Sequence, residues 1–287
     1  MEDTVWMEPD TLQGVKEILA QGDPEIRVVS GGTALSLIMK QGMFDPKKMI
    51  SLKKVKNELS FIRHDEEQNI RIGSMTTLRE IEIDPLMKAE QPVITEALAH
   101  VANPRIRYVA SLGGNLAHGD AHLDLPPILM ALGAKIKVES SKGDRWLELH
   151  DFFQGYYETA MESDEILTEV LIPKKIEGLR GTYFKYTTLS NDDWPTVGVA
   201  VFLKTVEGIV ADVRIVISAA TDKPTQLPEV EQCVRNKSLN EETIMEAAQK
   251  AYEVVKPLED LRGSVWYKKE MVKVHIKRAL EQLKTES

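Results

Sequence analysis

Val28-Val29-Ser30-Gly31-Gly32-Thr33-Ala34-Leu35 is the stretch on which the fold turns, read together with Ala110-Ser111-Leu112-Gly113-Gly114-Asn115-Leu116-Ala117-His118-Gly119-Asp120. Each sets a Gly-Gly pair beside small polar residues, with no phosphate-loop lysine and no GxGxxG spacing. Consecutive glycines let backbone N–H groups turn toward a ligand with no Cβ in the way. In the first stretch those groups open a helix, whose dipole also favours an anion. A lone Gly-Gly is more often only a tight strand-to-helix turn. Two widely separated ones suggest one long, doubly phosphorylated ligand gripped at two places, as a large dinucleotide would be. Ser111 and Asn115 add side-chain hydrogen bonds to the second grip.

Outward from the first stretch, Ile26 to Val29 reads as a strand. The helix after the glycines carries Leu35, Ile38 and Met39 on one face, is closed by Gly42, and leads to a strand at Met49 to Leu52. Such a β-loop-α-β unit predicts a parallel pair. Upstream, Asp10 is placed to cap a helix with Leu12, Val15, Ile18 and Leu19 on its apolar face, ended by Gly22. Leu59 to Ile62 and Ile70 to Ile72 read as a hairpin, and Thr95 to Val101 as a helix stopped by Asn103-Pro104. Asp124-Leu125-Pro126-Pro127 starts another helix, which Gly133 ends. Ala134 to Val138 and Ile166 to Ile172 are later strands. The polar run Pro173-Lys174-Lys175-Ile176-Glu177-Gly178 marks a boundary between residues 1–174, in two parts of about 1–55 and 56–174, and residues 175–287. Beyond it, Tyr183 to Thr187, Val197 to Leu203 and Val213 to Ser218 predict a three-stranded antiparallel sheet. Helices follow at Glu241 to Val255 and Tyr267 to Leu283. The fold class is α+β.

Composition narrows the function. A net charge of -9 argues against a nucleic-acid partner, because phosphate backbones are bound by basic surfaces. No apolar run reaches the length of a membrane span, and Met1-Glu2-Asp3-Thr4 lacks a signal pattern, so a cytoplasmic location is expected. One cysteine, Cys233, rules out an intrachain disulfide and any cysteine-ligated iron–sulfur cluster held by this chain alone. With no histidine near it in sequence, it reads as a structural or surface thiol.

Other polar residues leave alternatives open. His118, Asp120, His122 and Asp124 alternate, which invites a metal reading. The neighbouring Gly119 and Pro126-Pro127 favour an irregular loop that faces a nucleotide or solvent. Asp124 either caps the helix or holds a ribose or adenine edge, and spacing does not separate the two. Arg105 and Arg107 suit ion pairs better than phosphate contacts. Trp194 suits a planar ligand and a domain interface equally. Asp260-Leu261-Arg262-Gly263-Ser264 reads as a capped turn. No Ser/His/Asp or Cys/His set stands out, so the chemistry belongs to a bound cofactor.

Taken jointly, these strings resemble a known family. They are Ser30 to Leu35, Ile106 to Leu116, Asp124 to Pro127 with Ala131-Leu132-Gly133-Ala134, Arg71 to Thr77, Asp151 to Tyr156, and Asp260 to Tyr267. The pattern is similar to the FAD-binding medium subunits of molybdenum hydroxylases, which include xanthine dehydrogenase, carbon monoxide dehydrogenase and the aldehyde, nicotinate and quinoline oxidoreductases. The resemblance implies a two-part FAD-binding domain of the vanillyl-alcohol-oxidase type, followed by the C-terminal α+β domain. By position, Val28, Val29, Ser30, Gly31, Gly32, Thr33 and Ala34 would wrap the pyrophosphate. Ser111, Gly113, Gly114, Asn115 and His118 would line the second contact, and Asp124 would hold the adenosine part. Leu167 and Lys185 match positions near the flavin, and Trp194 matches an aromatic beside the isoalloxazine ring.

Three departures stand out: Ser30 in place of a frequent alanine, His118-Gly119-Asp120-Ala121 in place of asparagine-alanine-aspartate-proline, and an acidic run from Leu189 to Trp194. The implied function is a flavin electron-transfer subunit. It would take electrons from [2Fe-2S] clusters of a small partner subunit, in a complex whose large subunit holds the molybdenum cofactor, and pass them to an external acceptor. The rivals are a self-contained flavin reductase resembling the enolpyruvyl-glucosamine reductases and a nucleotide-binding module without redox chemistry.

Overall fold

A computed structural model describes residues 4–285. The N-terminal unit runs β1 (Val5–Met7), α1 (Leu12–Leu19), β2 (Ile26–Val29), α2 (Thr33–Lys40) and β3 (Lys48–Ser51). Its sheet has the order β1-β3-β2, and β2 and β3 pair in parallel as the crossover pattern requires. β1 also pairs in parallel with β3, and its three residues are too short to show a period. The cap of α1 is Thr11, not Asp10: the extended backbone of Thr11 lets its hydroxyl accept from the Gly14 amide at 3.1 Å, while Asp10 pairs with Lys54 at 2.8 Å. Val15 and Leu19 bury the inner face of α1. α2 has no fully buried residue, so its position depends on the glycine turn that precedes it.

The second unit is built on a five-stranded antiparallel sheet, β4-β5-β10-β6-β7. The short helix α3 (Lys56–Leu59) precedes β4 (Ile62–His64) and β5 (Ile70–Gly73). The expected hairpin is therefore present, but Leu59 closes a helical turn and its first strand begins at Ile62. Six helices follow: α4 (Leu78–Ile83), α5 (Pro85–Glu90), α6 (Pro92–Ala99), α7 (Pro104–Arg107), α8 (Leu112–His118) and α9 (Leu125–Ala131). Proline in the first turn starts α5, α6, α7 and α9, where its missing N–H costs nothing. Thr77 and Glu80 close a reciprocal capping box on α4. Asn103 does more than stop a helix, since its side chain accepts from the Ile106 amide and starts α7.

Then come β6 (Lys135–Ser140), β7 (Gly143–Glu148), α10 (Leu149–Phe152), the ribbon β8 (Phe153–Gly155) with β9 (Glu158–Thr159), and β10 (Ile166–Ile172). β7 escaped the sequence reading because it is an edge strand with little burial and no alternation. Ile70, Ile72, Leu98, Ile128, Ile136 and Val170 form the core between this sheet and its helices.

The C-terminal unit has β11 (Leu179–Tyr186), β12 (Val197–Val206), β13 (Ile209–Ser218) and β14 (Thr225–Gln226) in that order, then α11 (Pro228–Val234), α12 (Glu241–Val254) and α13 (Val265–Thr285). The sheet is antiparallel with four strands rather than three; the added β14 has only two residues. Glu207 and Gly208, both at positive φ, make the tight turn between β12 and β13. β12 is apolar from Val197 to Leu203 because both faces are covered there. Val199, Val201 and Leu203 meet the helix side of the C-terminal core, whereas Ala200 and Phe202 pack into the core of the preceding unit.

His275 on α13 lies among the rings of Phe184 and Tyr186, with neither nitrogen bonded to a partner. Burial lowers its pKa from 6.5 to about 4. The unfolded chain therefore binds this proton more readily, so the native state should lose stability as pH falls from about 6.5 toward 4. The loss is on the order of 2 kcal/mol after allowance for solvent screening. Denaturant melts across that interval should show a shallower acid loss in His275→Phe, and an unchanged slope would refute the assignment.

Candidate functional site

The two glycine stretches meet. The Ser30 and Ser111 hydroxyls hydrogen-bond at 2.5 Å although 81 residues separate them. A Cβ on Gly31 would lie 2.1 Å from the Val109 carbonyl oxygen, so only glycine permits this approach of two backbones. Gly32 is the N-cap of α2 in the left-handed region, at φ +67°, and no side chain caps that helix. Among the described residues the amides of Gly31, Gly32, Thr33, Ala34 and Leu35 have no internal hydrogen-bond partner. Their donors stand at a helix N-terminus, the positive end of its dipole. Val28 and Val29 are the last residues of β2 and aim the turn.

The second stretch works differently from its sequence reading. Leu112 to His118 is a helix, and its first amides are already used. Leu112 N–H donates to the Thr76 carbonyl, Gly113 N–H to the Ser74 carbonyl and Gly114 N–H to Ser111 Oγ, with distances of 2.8–3.1 Å. Gly113 is glycine because a Cβ would fall 2.6 Å from Ser74 Cβ. The expected second cradle of glycine amides is therefore a packing junction, and what it leaves over is side chains. Asn115 Oδ1 and Ser74 Oγ are buried without a partner. The uncommitted amides of Gly31 to Leu35 fit the pyrophosphate of a ligand, and the Ser30–Ser111 hydrogen bond holds the second stretch beside them. Sequence reading misses Ser74 because the strand it sees ends at Ile72, and Arg71 to Thr77 enters only as a string resembling the family.

The alternating run His118, Asp120, His122, Asp124 proves to be the seam with the C-terminal unit. Asp124 does not cap α9 through its side chain. Its carboxylate accepts from the Tyr183 hydroxyl at 2.8 Å and from Lys185 Nζ at 3.1 Å, and Lys185 also donates to the His100 carbonyl. Burial raises the Asp124 pKa against the pull of Lys185 and Tyr183. The Ala219 amide donates to the Ala121 carbonyl across the same seam.

Asp120 is fully buried. Its burial pushes the carboxyl up, but the His122 ring and amide and the Tyr157 hydroxyl outweigh this and hold it below its ordinary value. His118 lies 5.0 Å from the Tyr157 ring, and burial lowers its pKa. The loop read as facing a nucleotide or solvent is thus mostly occupied by protein contacts. Among the described residues no set of three ligand-type side chains is arranged for a metal.

Trp194 precedes β12 and lies 6.0 Å from the His122 ring, at the seam. Leu167 is buried in β10 at an irregularity in the β6 register, and the adjacent Thr168 carbonyl accepts from the Ser74 amide. Arg107 is structural: its guanidinium donates to Glu82 and to the carbonyls of Val101 and Ala102. Cys233 Sγ donates to the Glu229 carbonyl, and burial raises its pKa.

Residues 2–175 match the family described as the FAD binding domain in molybdopterin dehydrogenase, and residues 182–283 match the CO dehydrogenase flavoprotein C-terminal domain. The chain belongs to the FAD-binding medium-subunit family of molybdenum hydroxylases. It is 30% identical to the nicotine 6-hydroxylase medium subunit of Paenarthrobacter nicotinovorans, over 95% of this chain and 94% of the relative. It is 29% identical to the carbon monoxide dehydrogenase medium chain of Hydrogenophaga pseudoflava, with 95% and 94% covered. A solved carbon monoxide dehydrogenase from that organism superposes with a TM-score of 0.93 over 97% of this chain and 96% of that one, at 29% identity. Quinoline 2-oxidoreductase from Pseudomonas putida 86 gives 0.92 over 99% and 98%, also at 29% identity. Family membership makes the protein an FAD-binding component of oxidoreductases. No described helix of this medium-subunit relative is long and apolar enough to cross a membrane.

Proposed function

We propose that this chain is the FAD-holding electron-transfer subunit of a cytoplasmic heterooligomeric molybdenum hydroxylase. It would receive electrons from [2Fe-2S] clusters of a small partner subunit, with substrate oxidised at a molybdenum cofactor in a large one, and deliver them to an external acceptor. The observation that carries this reading is the row of uncommitted amides from Gly31 to Leu35 at the start of α2, held against the second stretch by the Ser30–Ser111 hydrogen bond. Bound FAD supplies an exchange between one-electron carriers and a two-electron acceptor.

The protein's part is placement. Val28 to Ala34 hold the pyrophosphate, and Ser111, Gly113, Gly114, Asn115 and His118 shape the opposite wall. Leu167 and Lys185 border the flavin, and Trp194 stands beside its ring. Asp124 reaches the adenosine part while tying Lys185 to the seam. No side chain of this chain is assigned a proton to transfer. The flavin unit is taken as a vanillyl-alcohol-oxidase-type domain at 1–174, divided near residue 55, with the C-terminal domain at 175–287. The extents of the two family matches, 2–175 and 182–283, support the boundary after residue 174.

Purification of the native complex tests the reading. It should yield one FAD per copy of this chain, together with iron–sulfur and molybdenum subunits. A complex with those subunits but no flavin would sink it, and so would an isolated chain that reduces a sugar nucleotide.

A further inference from the structure

His122 is gripped on both sides. Its Nδ1 lies 2.9 Å from Asp120 Oδ1, and its Nε2 lies 3.1 Å from Asp260 Oδ2 on the other side of the seam. A carboxylate only accepts, so both contacts are hydrogen bonds only when the ring carries two protons. Asp260 Oδ2 also accepts from Lys268, whose buried ammonium donates to it at 2.7 Å and to the Ala219 carbonyl.

The turn that carries Asp260 also carries Arg262. Its guanidinium donates to the Trp194 carbonyl at 3.4 Å and lies 3.5 Å from Asp193. Trp194 and Tyr156 put their rings about the imidazole, and Tyr157 donates to Asp120 from the remaining side. Asp120, Tyr156 and Tyr157 from the flavin unit, and Trp194, Asp260, Arg262 and Lys268 from the C-terminal unit, are the groups around this ring.

We propose that His122 is a positioning residue: by bridging Asp120 and Asp260 it fastens the two units and fixes the seat of Trp194. The sequence showed His122 only as one member of an alternating run, and Asp260 only as part of a turn. Without His122 the Asp260 turn keeps Lys268 but loses its tie to Asp120, and Trp194 moves with it. The bearing of that movement on the flavin ring rests on the function proposed above; the clasp itself does not.

Acrylamide quenching of Trp194, taken as each protein minus its Trp194→Phe counterpart in the purified full chain, follows the clasp with or without flavin. Trp194 should be protected in the wild type. His122→Phe keeps a ring in place but cannot donate, and should be several-fold more quenchable. Asp260→Asn keeps a hydrogen-bonding side chain opposite the imidazole and should stay close to wild type. Superimposable quenching curves for wild type and His122→Phe would overturn the proposal. In FAD-loaded protein, flavin emission should be higher in His122→Phe than in wild type. A freed Trp194 in His122→Phe, in a chain that never takes up FAD, would uphold the clasp and overturn the function.

Discussion

Gly31→Ala should strip the protein of FAD. The added Cβ would sit 2.1 Å from the Val109 oxygen and 2.7 Å from its carbonyl carbon, and neither backbone atom can rotate away as a side chain could. The first glycine turn must then lift off the second stretch. That breaks the Ser30–Ser111 hydrogen bond and swings the amides of Gly31 to Leu35 away from the second stretch. Overpacking of this kind costs about 1–3 kcal/mol of stability. Because both walls of the cofactor site move apart, flavin per purified chain should fall by roughly tenfold or more, the response to about 1.4 kcal/mol of lost binding. Gly42→Ala is the control. Gly42 has left-handed backbone, at φ +70°, which Gly31 does not, but nothing lies within 4 Å of its Cβ position. It should lose on the order of 1 kcal/mol from backbone strain and keep its flavin. Equal flavin content in the two variants would contradict the site.

Lys185→Met should be the most destabilising single change at the seam. Lys185 and Asp124 side chains are 9% and 6% exposed, so removing the ammonium leaves a buried carboxylate with only Tyr183 to answer it. Breaking such a pair costs about 3–5 kcal/mol. Asp124 already has a raised pKa, from burial first, and loss of Lys185 removes the cation that opposes that rise. The folded state then holds the proton more tightly than the unfolded chain does. Stability is retained at pH below the unfolded carboxyl value and lost as pH climbs through the folded one. Denaturant melts of Lys185→Met should therefore show partial recovery on acidification. Adding Asp124→Asn should rescue much of the loss at neutral pH, because no uncompensated charge remains. If the double variant is as unstable as the single one at every pH, Asp124 is not the charge at issue.

Much of the architecture could be read from local pattern. The β2-α2-β3 crossover, β10 and the two long C-terminal helices follow from apolar periodicity, and the glycine and proline positions punctuate them correctly. The errors lie where a side chain had more than one possible partner. Asp10 and Asp124 both precede helices and look like caps, yet each carboxylate goes to a lysine distant in sequence, Lys54 in one case and Lys185 in the other. Short edge strands such as β7 and β14 bury too little to leave a period.

By itself the chain determined which residues could face a dinucleotide, because a Gly-Gly turn after a strand and before a helix is a local property of backbone freedom. It also determined, with one cysteine, that this chain alone cannot hold a cysteine-ligated iron–sulfur cluster. Only the tertiary structure decided how the two glycine stretches divide the work. The first offers amides. The second spends its amides on Ser74, Thr76 and Ser111 and offers side chains instead. Tertiary structure also turned the alternating run from His118 to Asp124 into a fastener between units. Whether an acidic or imidazole side chain meets solvent, a ligand or another domain depends on atoms up to some 140 residues away, such as Asp260 at His122, and burial then makes that choice energetically decisive.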